Sequence, residues 1–566
     1  MQQDHRAQLI QQQIWEERYR ISELNENTLA DTFERVARHL SAPEGNEHTH
    51  WYHKFLQIML DKRFIPGGRI LANAGRGYQY TLANCFVSGT LSPSMESVFY
   101  KLTETLLTLQ SGGGVGIDFS PLPHRHPTGH LSDSLLNGPA AFLNLWDRTS
   151  ETLCNNTSRH SAMMGVLDCS HPDIMNFIEA KQSAYSLQHF NLSVLITDAF
   201  MQTLNNGGTW PLRYRGDIIR SIPAEEVWQA ILKNNLTGGE PGVLFIDTIN
   251  RSNRLAYKET IRTTNPCGEL PLPPHGSCIL GSLVLPHFVE APFTAKARIN
   301  LPLLESTAGI AVRLLDNALE KANLPLSVQQ RVALRSRRIG LGITGLADLL
   351  VMLGLAYDSP AARAKAIEII ACIRHAAYDT SCELAKTKGS FPVFDAELWI
   401  DNEAAAPIPA EIASRIRKYG IRNSHLTAIA PTGSISLLAD NVSPGIEPIY
   451  GWYYTREHKT ACSVAQSQVR NYALQTWEQL FGNEPLPDTF YQNRDVPVTG
   501  QVDMLAALQP YVDSGISKTV NLPEGIHLQQ LDTLFRHAYS SGLKGLTSYP
   551  ATAIRGSILN RGCGDR

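Results

Sequence analysis

The sequence contains few cysteines and no cysteine pattern that binds zinc or builds a disulfide framework. Nine cysteines are spread over 566 residues, without a Cys-x-x-Cys pair. Small secreted proteins and zinc modules need closely spaced cysteines, so both classes are disfavoured. In a reducing compartment, most of these side chains should be free thiols. Their positions are 85, 154, 169, 267, 278, 372, 382, 462 and 563.

An excess of charge and long apolar runs are also missing. The formal net charge is -3, whereas nucleic-acid binders usually carry a basic excess or stripe, so no stable nucleic-acid complex is expected. The first residues lack a basic region followed by an apolar core. No run reaches the roughly 18 apolar residues needed to cross a bilayer. We therefore expect a soluble protein with a cytoplasmic location and no membrane partner.

The distribution of apolar residues predicts an α/β fold preceded by a helical segment. Residues 1–60 are polar, with apolar residues such as Phe33, Val36 and Leu40 at helical spacing. Beyond about residue 64, short apolar runs alternate with amphipathic segments, a pattern typical of buried parallel strands joined by helices. No repeat or low-complexity linker divides this part, so we expect one large domain. The predicted strands are 115–119, 164–167, 190–196, 243–246, 279–285, 426–430 and 517–520.

Segment 265–269 (NPCGE) places an amide, a thiol and a carboxylate at alternate positions. If the segment is extended, Asn265, Cys267 and Glu269 share one face, because successive side chains of a strand point to opposite sides. Cys278 and Cys85 lie in short apolar runs beginning beside small or polar residues, which suits strand ends at a cleft. Three thiols and one carboxylate could therefore meet.

Segment 265–269 and the following LPPHGSC resemble the active-site segment of ribonucleotide reductases, specifically the adenosylcobalamin-dependent class. Further segments match in the family's order, and the resemblance extends from about residue 14 to about residue 559. These segments are 63–72 (RFIPGGRILA), 109–120 (LQSGGGVGIDFS), 171–174 (HPDI), 430–436 (APTGSIS), 445–448 (GIEP), 516–521 (ISKTVN) and 544–549 (KGLTSY).

The resemblance implies a fold in more detail than the apolar pattern does. It implies a ten-stranded α/β barrel of two five-stranded halves, with the loop that carries Cys267 threaded into the centre as a finger loop. The resulting division of the chain is an N-terminal helical segment (1–60), the catalytic barrel (61–560) and a short tail (561–566).

The resemblance also implies roles for five residues. Cys267 would become a thiyl radical and abstract the 3′-hydrogen of the ribose. Glu269 would accept the 3′-hydroxyl proton, and Asn265 would hydrogen-bond the sugar. Cys85 and Cys278 would then give protons and two electrons and end as a disulfide. The alternative for Glu269 is a solvated carboxylate without a catalytic role. Five of the other cysteines are interpreted as small buried hydrophobes. Those read in this way are Cys154, Cys169, Cys372, Cys382 and Cys462.

Segment 431–436 concentrates hydroxyl groups, one glycine and backbone amides after an apolar strand, which suits phosphate binding. An ordinary capped turn is the alternative. Resemblance to the family's substrate-phosphate loop favours phosphate binding, and it places Asn84 and Gly113 near the substrate ribose. The residues predicted for the phosphate loop are Pro431, Thr432, Gly433, Ser434, Ile435 and Ser436.

Segment 340–345 (GLGITG) fits the Gly-x-Gly-x-x-Gly pattern of dinucleotide-binding proteins. That fingerprint also needs a second strand ending in an acidic residue about 20 positions later. Here the corresponding region, 359–365 (SPAARAK), is helical in character. We interpret the glycines as close packing of a strand against a helix.

Three classes of this family make the radical in different ways. The class served by a metal-containing subunit relays the radical through two adjacent tyrosines, whereas this chain has Tyr549 followed by Pro550. The oxygen-sensitive class lacks the glutamate and has a four-cysteine metal site, whereas this chain has Glu269 and no such cluster. Adenosylcobalamin is therefore the expected cofactor. No Asp-x-His-x-x-Gly signature occurs, so the corrin should keep its own base.

Two parts of the sequence depart from the family pattern. Segment 93–96 (PSME) lacks the aspartate that helps to hold the effector ribose, and segment 157–162 (TSRHSA) lacks both glycines of the effector loop. We expect altered or weak effector regulation.

The tail holds Cys563 alone, so it cannot form the dithiol that re-reduces the disulfide in many relatives. The alternatives are that a thioredoxin-like protein reduces the disulfide, that a neighbouring chain does so, or that the sequence is truncated.

The resemblance thus implies an oxidoreductase that reduces ribonucleotides, in particular diphosphates, to 2′-deoxyribonucleotides. Diphosphate or triphosphate preference and a family-like homodimer are left open. One alternative is a catalytic subunit served by a metal-radical partner. Another is a non-catalytic nucleotide-binding relative, which is disfavoured because a barrel without activity has no chemical need for the five residues named above.

Overall fold

The computed structural model describes residues 4–77, 80–125, 137–154, 162–182, 186–402, 405, 407–459, 464–550 and 559–561. Its second helix, α2 (Leu29–Ser41), shows how the sequence determines local structure. Thr28 caps the helix by accepting a hydrogen bond from the Asp31 N–H, and the Asp31 carboxylate accepts one from the Thr28 N–H. Phe33, Val36 and Leu40 form its buried face.

Three helices precede the first strand, and the other helices lie between later strands in the chain. In chain order they are α1 (Asp4–Arg18), α2 (Leu29–Ser41), α3 (His48–Leu60), α4 (Gly68–Asn73), α5 (Met95–Gln110), α6 (Pro139–Cys154), α7 (Ile174–Ile178), α8 (Asp198–Asn205), α9 (Ala224–Gly238), α10 (Ile246–Arg251), α11 (Leu301–Glu320), α12 (Ser327–Ser336), α13 (Leu346–Met352), α14 (Pro360–Lys388), α15 (Ala396–Ile400), α16 (Ala410–Tyr419), α17 (Ile435–Leu438), α18 (Tyr472–Phe481), α19 (Val498–Leu508) and α20 (Leu528–Ser540). No helix in the described ranges combines the length and the apolar character that crossing a membrane requires.

The strands are short, and several are buried along their whole length. They are β1 (Phe64–Pro66), β2 (Cys85–Val87), β3 (Gly114–Asp118), β4 (Met163–Asp168), β5 (Phe190–Ile196), β6 (Thr209–Tyr214), β7 (Asp217–Pro223), β8 (Gly242–Phe245), β9 (Thr263–Thr264), β10 (Pro271–Leu272), β11 (Ser277–Val284), β12 (Val289–Glu290), β13 (Arg298–Ile299), β14 (Ile339–Thr344), β15 (Tyr453–Lys459), β16 (Val464–Arg470), β17 (Thr519–Leu522), β18 (Gly545–Pro550) and β19 (Leu559–Arg561).

Ten strands form one mixed sheet, which confirms the predicted α/β class. Its order is β1-β11-β2-β3-β4-β5-β8-β18-β17, and β14 pairs with β11. Strands β2, β3, β4, β5 and β8 are parallel to one another, and so are the pairs β11–β14 and β17–β18. The junctions β2–β11 and β8–β18 are antiparallel. Every residue of β11 and β14 is buried, as expected for parallel strands covered on both faces.

Predicted strand 426–430 is present only as isolated bridges. Thr427 pairs with Leu341 of β14, and Ile429 pairs with Ile516, both in parallel orientation. The Ala428 N–H donates to the Leu341 carbonyl at 3.1 Å, and the Ser517 N–H donates to the Ile429 carbonyl at 2.8 Å. This segment therefore connects β14 to the chain just before β17, although its ladder is too short for a regular strand.

The glycines of β14 pack against β11 and against segment 426–430, not against a helix, so that part of our interpretation is wrong. A Cβ atom at Gly342 would lie 2.5 Å from the Ala428 carbonyl oxygen, and one at Gly340 would lie 2.5 Å from Leu280 Cδ2. Both glycines allow adjacent chain segments to approach closely. Helix α14 follows where a dinucleotide fingerprint would need a strand.

Candidate active site

Cys85 and Cys278 are paired across two neighbouring strands. They are direct partners in the antiparallel ladder between β2 and β11. The Cα atoms of such partners lie about 4.5–5.5 Å apart, within the range that a disulfide can bridge. Both cysteines carry reduced thiol groups in this structure, and they are 7% and 0% exposed respectively. The strand register, which the sequence does not reveal, thus places two thiols in a geometry suited to reversible oxidation.

Cys267 lies in the tip of a hairpin, not in an extended segment as the alternating pattern suggested. Strands β9 and β10 pair in antiparallel orientation, and residues 265–270 connect them. The Gly268 N–H donates to the Asn265 carbonyl at 3.1 Å, and the positive φ of Gly268 (82°) is one that glycine tolerates best. The turn leaves Cys267 exposed, whereas Pro266 is buried and Gly268 is partly buried.

The hairpin reaches the sheet because β3 carries glycine where the two approach. A Cβ atom at Gly116 would lie 1.8 Å from the Thr264 carbonyl oxygen of β9. Any larger residue would collide with the backbone at this point. Gly116 of the glycine-rich segment 109–120 therefore allows the finger loop to lie against β3.

Asn265 and Glu269 converge on Cys85 from the two ends of the turn. Asn265 Nδ2 donates to Cys85 Sγ at 3.1 Å, and Cys85 Sγ lies 3.8 Å from Glu269 Oε1 as a weak donor. Asn265 Oδ1 accepts from the Leu270 N–H at 2.9 Å, which fixes the amide. A carboxyl group, an amide and a thiol therefore meet although they come from distant parts of the chain.

Glu269 is almost fully buried, and its Oε2 has no hydrogen-bond partner among the described residues. Burial raises the pKa of Glu269 to about 7, and hydrogen bonds from Asn265 and Cys85 oppose part of this rise. A carboxyl group with a pKa near neutrality exchanges protons readily at physiological pH. Glu269 Oε2 is therefore an acceptor that a substrate hydroxyl group could satisfy.

Cys278 has the opposite character to a reactive thiolate. Burial raises its pKa to about 12, so that the group stays a protonated thiol at neutral pH. A protonated thiol can give a hydrogen atom or a proton with an electron. A thiol that stays protonated reacts slowly with electrophiles, because the thiolate is the nucleophile.

A cavity of about 270 Å³ joins the thiols to the predicted phosphate loop. Cys85, Cys267 and Glu269 form one part of its wall, and segment 430–435 forms another. Asn84 also lines it. Ser436 is buried in α17 and does not line this cavity, while Cys278 and Asn265 lie behind the wall. Gly113 lines a smaller cavity of about 80 Å³ together with Cys85 and Cys267.

The phosphate loop is held in a strained conformation by a network of hydroxyl groups. Thr432 has a positive φ of 54°, which is unusual for a β-branched residue. Thr432 Oγ1 lies 2.9 Å from Thr344 Oγ1 and accepts a hydrogen bond from the Gly445 N–H at 2.8 Å. No heavy atom lies within 4 Å of where a Gly433 Cβ would be, so the loop backbone at this point is open to a ligand.

Sequence reasoning assigned no role to four residues with polar side chains that line the same cavity. They are Arg18, Tyr19, Arg69 and Ser282. Arg69 lies in a segment that matches the family, but the match assigned it no role. Arg18 and Tyr19 come from the N-terminal helices, and no local pattern relates them to a loop more than 400 residues away.

A second cavity of about 350 Å³ lies on the other side of the finger loop. Pro266, Cys267 and Gly268 line it, so Cys267 contacts both cavities. Its wall is largely apolar near Leu244 and Leu505, with polar groups from segment 516–519 and segment 544–549. Gln509 lines it as well, and within the described part of the chain its buried Nε2 has no hydrogen-bond partner.

Some predicted residues lie outside the described parts of the chain. The effector loop is described only at Ala162, and Cys462 and Cys563 are not described. Pro93 lines a separate surface cavity of about 370 Å³ beside Asp168 and Arg262. Altered effector regulation stays a prediction.

A hairpin that places a thiol between two cavities, beside a cross-strand pair of cysteines and the hydroxyl-rich loop 430–435, is the arrangement expected of a ribonucleotide reductase active site. The sequence model of the family described as "Ribonucleotide reductase, barrel domain" matches residues 83–549, and that described as "Ribonucleotide reductase, all-alpha domain" matches residues 6–79. The chain belongs to the ribonucleotide reductase family, and the predicted family is confirmed.

Comparison with individual relatives shows which kinds of ribonucleotide reductase this chain is similar to. The chain is 33% identical over 558 residues to a vitamin B12-dependent ribonucleoside-diphosphate reductase of Mycobacterium tuberculosis (strain CDC 1551 / Oshkosh), with 94% of this chain and 77% of the relative covered. A protein of the same description from Thermoplasma acidophilum is 31% identical, with 92% and 67% covered. A ribonucleoside-diphosphate reductase large chain of Schizosaccharomyces pombe is 26% identical, with 67% and 51% covered.

Proposed function

We propose that this chain reduces ribonucleoside diphosphates to 2′-deoxyribonucleoside diphosphates for DNA synthesis, with adenosylcobalamin as its cofactor. One observation carries the proposal: Cys85, Cys267 and Glu269 line one cavity with the hydroxyl-rich loop 430–435. A sugar at the thiols and a phosphate at the loop would fill this cavity together. The relatives described as vitamin B12-dependent support the cofactor and the diphosphate substrate.

We propose that the sheet closes into a ten-stranded barrel of two five-stranded halves. One half would be β2, β3, β4, β5 and β8, and the other would be β11, β14, segment 425–429, β17 and β18. The antiparallel junctions β2–β11 and β8–β18 support this division, and so do the parallel bridges at Thr427 and Ile429. In the same proposal residues 1–60 form the helical segment, residues 61–560 the barrel and residues 561–566 the tail.

The second cavity fits the nucleoside part of adenosylcobalamin. It is large enough for a purine nucleoside, and it combines apolar walls with polar groups suited to a base and a ribose. Gln509 Nε2 is a buried donor that an acceptor on the nucleoside would satisfy. Segments 516–519 and 544–549 would hold the group, which when bound supplies the radical oxidant that removes the hydrogen atom from Cys267 Sγ.

The proposed reaction begins at the substrate 3′ position. Cys267, as a thiyl radical, takes the 3′-hydrogen atom, and Glu269 accepts the proton of the 3′-hydroxyl group. Cys85 donates a proton to the 2′-hydroxyl group, which leaves as water. Cys85 lines the cavity and contacts Glu269, which supports its place as the first donor. Asn265 positions the Cys85 thiol and the sugar.

The Cys85 and Cys278 thiols supply the electrons of the reduction. Together they give two electrons and two protons, and a disulfide bond forms between them. The 3′-hydrogen then returns from Cys267 to the sugar, so that the net change is ribonucleotide plus two thiols to deoxyribonucleotide, water and disulfide. An external dithiol has to reduce that disulfide before the next turnover.

Purified chain incubated with CDP, adenosylcobalamin and dithiothreitol tests this function. We expect dCDP to form without a second protein, measured by chromatography. Product formation only after addition of a metal-containing subunit would favour the catalytic-subunit alternative. CDP binding without any product under either condition would favour a non-catalytic relative.

The pKa of Glu269 predicts how the activity depends on pH. A general base acts in its deprotonated form, so activity is lost as the pH falls through the raised pKa. We expect kcat/KM to increase between about pH 6 and about pH 8 with an apparent pKa of about 7. Glu269→Gln should lower kcat by about 10²–10⁴-fold and remove this pH dependence.

Steady-state rates for both proteins across that pH range check the expectation. The exposed Glu17 provides a control, because Glu17→Gln makes the same chemical change outside the cavity. A Glu269→Gln enzyme that keeps the wild-type profile would remove Glu269 from the role of base.

We further propose a thioredoxin-like dithiol reductant, a cytoplasmic location and a homodimer. The exposed Phe99 and Leu107 of α5 lie on one face of that helix, eight residues apart, and support a contact with a second copy. Light scattering that gives the mass of one chain at all concentrations would argue against the dimer.

A further inference from the structure

The end of the first helix lies in the substrate cavity. Arg18 is the last residue of α1, and it lines the cavity together with Cys267 and Glu269. Its Nη1 donates to Ser434 Oγ in the phosphate loop at 2.8 Å. A residue from the helical segment therefore contacts the loop expected to bind the substrate phosphate.

Packing fixes the position of this helix end. Ile14 and Trp15 are buried in the main core, and Trp15 Nε1 donates to Thr32 Oγ1 at 2.8 Å. Gln11 donates from the same helix to the Leu438 carbonyl at the end of α17 and to Asp440 Oδ1. The segment that follows the phosphate loop is thus joined directly to α1, so that Arg18 and Ser434 keep their relative position.

The charge of the cavity wall favours an anion near Arg18. Among the described residues that line it, Arg18 and Arg69 carry positive charge and Glu269 is the carboxylic acid. With a pKa of about 7, Glu269 is only partly ionised at neutral pH. The loop itself offers hydroxyl groups and amides but no cation. A guanidinium group has five donors in a planar fork that matches a phosphate, and the bond to Ser434 uses only one nitrogen.

We infer that Arg18 is a substrate-binding residue whose guanidinium group binds the terminal phosphate of a ribonucleoside diphosphate. The helical segment then forms part of the substrate site and contributes to diphosphate recognition. This inference rests on the proposed function, because it names a phosphate contact within the same cavity. It assigns Arg18 to binding only, since the guanidinium contacts the loop and not the thiols.

Binding of CDP and of cytidine to the full chain tests the inference without relying on turnover. Arg18→Gln should raise the Kd for CDP about tenfold, because a charge-assisted bond to phosphate is lost. The Kd for cytidine, which has no phosphate, should stay within about twofold of wild type. Arg18→Lys should restore part of the CDP affinity, because the charge remains but the fork does not.

A matched control is Arg38→Gln, the same change at an exposed position of α2 that does not line the cavity. It should leave both Kd values unchanged. An unchanged CDP Kd in Arg18→Gln, or an equal rise for CDP and cytidine, would overturn the inference while the proposed function stands. Failure of the wild-type chain to bind CDP would overturn both.

Discussion

Replacement of Cys267 by serine is expected to abolish deoxynucleotide formation, a loss of at least about 10⁴-fold in kcat. Serine has nearly the shape of cysteine, but its O–H bond is stronger than an S–H bond. An oxidant able to form a thiyl radical cannot form the corresponding oxygen radical. The comparison uses the CDP reduction assay with wild type and Cys267→Ser at equal protein concentration.

Loss of activity in this variant should not come from loss of folding. Cys267 is exposed at the tip of a turn, so the substitution leaves no cavity in the core. The midpoint of thermal unfolding should stay within about 1 °C of wild type. Measurable dCDP production by Cys267→Ser, above a few ten-thousandths of the wild-type rate, would contradict the role of this sulfur.

Cys85→Ser and Cys278→Ser should each reduce multiple-turnover activity by at least about 10²-fold. One remaining thiol of the pair cannot close the intrachain disulfide that provides two electrons. The two residues are direct cross-strand partners, so neither can be replaced by another described cysteine without rearranging the sheet. The measurement is the steady-state rate of dCDP formation with dithiothreitol as the reductant.

Cys372→Ser is the matched control for the pair. Cys372 is half-buried on α14 and lines neither the substrate cavity nor the second cavity beside Cys267, so its loss should leave the rate unchanged. Equal activity in Cys85→Ser, Cys278→Ser and Cys372→Ser would show that the reducing electrons come from elsewhere.

The sequence predicted the fold best where a strand is rich in buried apolar residues. The prediction for 190–196 agrees residue by residue with β5, in which every residue except Asn191 is buried. The prediction for 426–430 was weaker, because apolar character does not reveal how many ladder bonds a segment makes. Only two bridges flank Ala428, so the segment does not form a regular strand.

The sequence predicted which residues form the site, but it predicted their geometry less well. Resemblance to the family named Cys267 and Glu269, while the alternating pattern suggested an extended segment where a turn around Gly268 occurs. The register that pairs Cys85 with Cys278 depends on contacts between distant segments, which no local pattern encodes. The same reason explains why Arg18 was missed.

A single-turnover experiment tests the central claim most directly. The reduced chain is incubated with CDP and adenosylcobalamin without any external reductant, and both dCDP and protein disulfides are quantified. We predict about one disulfide for each dCDP formed, with peptide mass spectrometry showing the bond between Cys85 and Cys278. Formation of dCDP while both of these cysteines stay reduced would contradict the account.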